Sequence, residues 1–189
     1  MANIAGALCF PATASVTLEN GSQKMMKDIQ IGDRVKIGKD RYSEVFMWTH
    51  RLEHIITDFV KITHDHGELI LTAGHYLYAN GQILPANSVK IGDQIPLHDG
   101  SMSTIRSITT SIANGLYNPQ TRDGDIAFNG VVTTTYTTVA HPVVAKGFLL
   151  VMQTIPSLAR RLVGDRIASV NVIPSWASGI MGFLPAGTK

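Results

Sequence analysis

The chain has 189 residues, a formal net charge of +2, and apolar residues at 44% against 16% charged. That balance excludes a disordered chain, and the scattered basic residues, with no Lys/Arg-rich run or interleaved aromatic platform, argue against a nucleic-acid partner. The one cysteine, Cys9, excludes an internal disulfide, so cysteine usage is silent on compartment.

The length suits one domain, or one domain with an appendage, and is enough to bury a sizeable core. Residues 1–8 are apolar but too short and uncharged for a secretory signal, and they read as the stub of an upstream polypeptide or a short leader. No apolar run is long enough to span a bilayer, the greasiest stretch (Val143 to Met152) being interrupted by Lys146 and Gly147. From Ser15 to about Thr138 the pattern is short β-prone runs between turn residues. Ser15-Val16-Thr17-Leu18 leads into Asn20-Gly21, a hairpin-type signal. Arg34 to Ile37, Tyr42 to Trp48, Asp58 to Thr63, Leu69 to Thr72, Ile95 to Leu97, Ser103 to Ile108 and Val131 to Thr138 read as further strands. His64-Asp65-His66-Gly67 reads as a turn between two of them. No window before residue 140 keeps helical periodicity, so the body is mainly β.

A shift of 60 residues lays Asn20-Gly21 on Asn80-Gly81 and Ile31-Gly32-Asp33 on Ile91-Gly92-Asp93. Five of the 18 positions from Leu18 are then identical, where unrelated sequence of average usage gives roughly one. Duplication follows: two related β subdomains with pseudo-twofold symmetry, a layout that places a shared site between the halves.

After His141-Pro142 the character changes. Ile155, Leu158, Ala159, Leu162, Val163 and Ile167 keep a helical spacing, with Thr154 as a cap and Pro156 in the first turn. A second apolar piece, Ile173 to Leu184, holds Trp176, Met181 and Phe183. This region reads either as a helix packing on the β body or as a face for an apolar ligand or a membrane surface.

The residues that carry chemistry are spread along the β body. Leu8-Cys9-Phe10-Pro11 comes first, then Ile31-Gly32-Asp33-Arg34-Val35, then Leu71-Thr72-Ala73-Gly74-His75. Gly115-Leu116-Tyr117-Asn118-Pro119 follows, with Gly124-Asp125-Ile126 and Asn129-Gly130-Val131 beyond it. A lone cysteine is ordinarily an inert apolar residue. With a Thr-x-x-His and these segments in this order, however, the chain resembles the autoprocessing domain of Hedgehog precursors, in the Hint superfamily that also holds inteins. The resemblance runs from about Leu8 to Thr138.

It implies a horseshoe-like β fold over 9–142, with a sterol- or adduct-recognition region at 143–189 in which Leu158, Leu162 and Trp176 would contact the acceptor. It also implies self-cleavage at Leu8-Cys9. The Cys9 thiol would attack the Leu8 carbonyl to give a thioester, and a second nucleophile, a sterol-like alcohol or water, would release the upstream polypeptide. By family position His75 protonates the departing Cys9 nitrogen and Thr72 orients His75 through its hydroxyl. Histidine suits that work because its ordinary pKa of about 6.5 lets it take and give a proton near neutrality. The resemblance implies no cofactor and no metal, and it places the protein in the secretory pathway or outside the cell. The implied partners are the attached upstream polypeptide, an alcohol acceptor and a membrane touched through 143–189.

Three departures stand out. Where the family carries an aspartate that activates the acceptor hydroxyl, this sequence has His50, a base without a negative charge. Thr135 stands where Hedgehog domains carry a cysteine, so no pairing with Cys9 can form. His141 precedes Pro142 rather than a terminal Asn, which removes the step by which inteins splice. Elsewhere, His64 and His66 around Asp65 show too weak a spacing for a metal and read as a solvated turn. His54 and His98 give no signal. Asp33 and Asp93 hold equivalent places in the repeat and read as turn structure. The competing readings are a Hint domain that only hydrolyses, and a non-catalytic β domain that binds an apolar ligand or membrane.

Overall fold

A computed structural model describes residues 9–137; Leu8, Leu158, Leu162, Trp176 and the expected helical and apolar segments lie outside the described residues. The strands are β1 (Ser15–Thr17), β2 (Gln23–Met25), β3 (Arg34–Gly38), β4 (Arg41–His64), β5 (Gly67–Leu71), β6 (His75–Ala79), β7 (Gln82–Pro85), β8 (Gln94–Pro96), β9 (Met102–Thr121), β10 (Asp125–Phe128) and β11 (Val131–Thr137). A single 3-10 turn covers Met26–Asp28. One sheet runs β2-β1-β10-β11-β6-β7; the other runs β3-β4-β9-β8, with β5 on β4. Among the described residues no helix is long and apolar enough to cross a membrane.

The expectation of a mainly β, two-subdomain fold holds, and the repeat has a physical basis in its turns. The Asp33 carboxylate accepts the Gln30 N–H at 2.8 Å, and Asp93 accepts the Lys90 N–H at 2.8 Å. The adjoining glycines, at φ +96° and +95°, donate to Val45 O and Ile105 O. Only glycine adopts that backbone cheaply, and the aspartate satisfies an amide the turn would strand. Elements then correspond in order: β1 with β6, β2 with β7, β3 with β8 and β4 with β9.

The sequence reading divided what the fold joins. Tyr42 to Trp48 and Asp58 to Thr63 are the two ends of the 24-residue β4, and Ser103 to Ile108 opens the 20-residue β9. These two strands pair along nearly their whole length, with register shifts between Trp48 and His50 and between Leu52 and Ile56. Both shifts add residues to β4 and bend the ribbon, and the one at Trp48–His50, a single extra residue, breaks the period-two pattern that marks a strand in sequence. The ribbon can therefore serve both halves. Its inner face meets a core drawn from both sheets, including Phe10, Trp48, Leu77, Tyr117, Ile126 and Phe128.

Gly115 sits in β9 at φ +83°, and a Cβ there would overlap the Tyr117 ring and stand 3.1 Å from the Ala12 Cβ. Gly115→Ala therefore combines a left-handed backbone with a clash. We expect a loss of at least about 1–3 kcal/mol, read from the denaturant midpoint.

The turn at 64–67 is solvated over Asp65, His66 and Gly67 but not at His64. His64 is buried, and its Nδ1 and that of His66 lie 2.8 and 3.0 Å from the Ser103 hydroxyl, itself buried on β9. That hydroxyl can donate to one ring and accept from the other. Asp65 is turned outward to Arg106 and Thr104 and does not neutralise the pair. Burial first, and the charge of His66 second, hold the His64 pKa below its ordinary value. The unfolded chain thus takes up the proton that the native hairpin resists. Stability is full above about pH 6.5 and falls as pH drops below it. Thermal unfolding between pH 8 and 5 should show this loss, and His64→Asn should flatten it.

Candidate active site

Cys9 lies one residue ahead of the short antiparallel step in which Phe10 and Tyr117 exchange both backbone hydrogen bonds, at 2.8 and 3.0 Å. Successive backbone groups on an extended chain face opposite sides, so the polar groups of Cys9 face away from β9 and meet Thr72. The Cys9 N–H donates to Thr72 Oγ1 at 2.7 Å, and the Thr72 N–H donates to Cys9 O at 3.0 Å. One threonine therefore holds both faces of the residue. The Cys9 side chain is fully buried against Phe59 and Leu116, with Leu52, Ile55, Ile70 and Ala113 around them.

His75 begins β6, and its N–H donates to Thr72 O at 3.0 Å, closing the Thr-x-x-His turn. Its ring is fully buried, stacked at a tilt on Phe10 with centroids 4.3 Å apart. Nε2 lies 2.8 Å from the Thr134 carbonyl. A carbonyl only accepts, so the neutral ring carries its hydrogen on Nε2, which leaves Nδ1 as the basic nitrogen. The Thr72 hydroxyl, expected to orient His75, takes the Cys9 amide hydrogen, and Thr72 reaches His75 through its carbonyl.

His50 is half-buried at the β4 bulge, opposite Asn118 of β9. Continuing the Phe10–Tyr117 step by one residue puts Cys9 opposite Asn118 on the other side. Cys9, Asn118 and His50 therefore stand abreast. At about 4.8 Å between strands, the backbones of Cys9 and His50 are about 10 Å apart. The bulge is fastened by a part-buried chain: Thr49 Oγ1 donates to Asn118 O at 3.2 Å, and Gln120 Nε2 donates to Thr49 Oγ1 and to Thr135 O, both at 3.1 Å. Of the residues singled out in the sequence, the structure gathers Cys9, Thr72 and His75 directly and sets His50 one strand away. It also adds Asn118, whose only trace in the sequence was a Gly-Leu-Tyr-Asn-Pro motif with no role attached, and Gln120 and Thr49, which lie outside that motif. No cluster of three or more metal-ligating side chains occurs among the described residues.

A fold of two sheets wound on one long ribbon is shared by solved inteins. The gp41-1 intein crystal structure superposes with a TM-score of 0.58 at 21% identity, over 68% of this chain and 98% of that one. An intein-like domain from Clostridium thermocellum gives 0.56 at 16%, over 67% and 97%. The Hint module family model matches residues 2–180, and the chain belongs to that family. Curated relatives include Warthog protein 1 of Caenorhabditis elegans, 27% identical over 83% of this chain and 35% of that protein. Warthog protein 6 is 32% identical over 71% and 25%, and the hedgehog protein of Drosophila erecta 28% over 79% and 36%. The chain thus spans about a quarter to a third of these relatives' length.

Replacing Thr72 by Val keeps the shape and removes the acceptor, stranding the buried Cys9 N–H. We expect a loss of about 1–3 kcal/mol in urea unfolding with an unchanged slope.

Proposed function

We propose that this chain cleaves itself at Leu8-Cys9 by an N-to-S acyl shift and passes the upstream acyl group to a hydroxyl acceptor. The observation that carries the reading is the clamp: Thr72 holds both backbone groups of Cys9 in the turn that presents His75.

In the first step Sγ bonds to the Leu8 carbonyl carbon, the C–N bond breaks, and the thiol proton ends on the freed Cys9 amine. His75 moves that proton, taking it at Nδ1 and returning it to nitrogen. A positioned acid–base group of this kind contributes about 10²–10⁴-fold. In the second step an acceptor O–H adds to the thioester, the C–S bond breaks, and the acceptor proton returns to sulfur through His50. A backbone separation of about 10 Å between Cys9 and His50 leaves room for a hydroxyl between them. A sterol-like alcohol presented by 143–189 is the acceptor this reading favours, and a secretory or extracellular location accompanies it. Water is the second reading, and what favours it is His50: a neutral base places no negative charge beside an incoming sterol hydroxyl.

With a reporter fused ahead of Leu8, dithiothreitol should release it from the parent chain and not from Cys9→Ala. His75→Ala should lower thiol-triggered release at least about 100-fold. His50→Ala should leave it intact and slow only transfer to an alcohol or to water. The mass of the released reporter distinguishes ester from free acid. Equal release from the parent and Cys9→Ala would sink the proposal.

A further inference from the structure

Asn118 is fully buried, yet neither its Nδ2 nor its Oδ1 has a hydrogen-bond partner among the described residues. Removing an amide from water without a partner costs about 1–3 kcal/mol on mutational scales, so a native chain that keeps one calls for a reason. Its place in the sheet supplies one. Phe10 and Tyr117 form a hydrogen-bonded pair, so Cys9 and Asn118 form the next, non-bonded pair, whose side chains share a face and come closest. Cys9 packing on Leu116, two residues from Asn118 along β9, gives the same face independently.

We propose that the Asn118 carboxamide is a catalytic hydrogen-bond donor to the scissile carbonyl, stabilising the oxyanion that forms when Sγ attacks; the inference rests on the cleavage reading above. The Cys9 N–H points at Thr72. A trans peptide places its carbonyl on the opposite side of the chain from its N–H, so in this proposal the scissile carbonyl is met from the β9 side. The antiparallel ladder would supply it with the backbone N–H two residues beyond Tyr117. That residue is Pro119, which has no N–H. The ladder stops one donor short of the scissile bond, and the Asn118 Nδ2, with no other partner there, is the donor on hand. A ladder bond would hold the ground-state carbonyl in the plane of the sheet. A side-chain donor on the thiol's face can follow the oxygen as the carbon becomes tetrahedral, which is the arrangement that lowers a barrier.

The test uses the full chain with the upstream reporter. Asn118→Ala should slow dithiothreitol-triggered release by about 10²–10³-fold, and Asn118→Asp, which keeps the shape but loses the donor when ionised, should be equally slow. Adding Pro119→Ala to Asn118→Ala restores a backbone N–H and should recover at least about tenfold. A second readout needs no activity. Cys9 is the sole cysteine, so carbonyl-¹³C leucine with ¹⁵N cysteine labels the scissile peptide alone. In a His75→Ala chain, which keeps that bond, Asn118→Ala should move its carbonyl resonance upfield as the hydrogen bond is lost. A parent that cleaves while neither rate nor resonance responds to Asn118 overturns the inference, as does a slowed rate with an unmoved resonance. A parent that fails to cleave while the resonance still responds overturns the cleavage reading and supports the hydrogen bond.

Discussion

The site depends on one short exchange between Cys9 and Thr72. The Cys9 N–H donates to the threonine hydroxyl and the threonine N–H donates to the Cys9 carbonyl. Both groups are buried, and a buried amide left without a partner is costly, so the start of the described chain is tied firmly to the turn between β5 and β6. From that tie everything else at the site takes its position. Phe10 falls into the core beside His75 and Phe128, and the thiol is left on the opposite face among apolar side chains. The same exchange uses up the polar groups on one side of Cys9.

The β4–β9 ribbon is the second constraint. It carries the core on one face and, on the other, the apolar patch around Cys9 together with Asn118, and His50 stands beside them at the bulge. The bulge at Trp48–His50 would be a weak point were it not fastened through Thr49, Gln120 and Thr135. The Gln120 bond to Thr135 O is made away from bulk water, where a hydrogen bond is electrostatically stronger and the alternative is an unsatisfied group. The polar interior here thus reinforces the position of His50 relative to Asn118. The His64–Ser103–His66 cluster occupies the far end of β4 and has a different character, since two imidazoles compete for one hydroxyl and the nearby carboxylate is turned outward.

The amino-acid sequence by itself determined the class of fold, because it rests on local chemistry: Asn-Gly turns, Gly-Asp steps repeated at a shift of 60, and short β-prone runs. It also singled out Cys9, Thr72 and His75, since a Thr-x-x-His turn is contained in four consecutive residues and its head cysteine is alone in the chain. What only the tertiary structure decided is lateral. That β4 and β9 are single long strands, that His64 is buried on Ser103, and that Asn118 stands between Cys9 and His50 all follow from cross-strand register. Register is fixed by pairing between residues 39 or more positions apart and by bulges that erase the alternating pattern. A proline in a strand reads in sequence as a stop. Only beside Cys9 does it become a missing donor, and the asparagine before it a reason to look again.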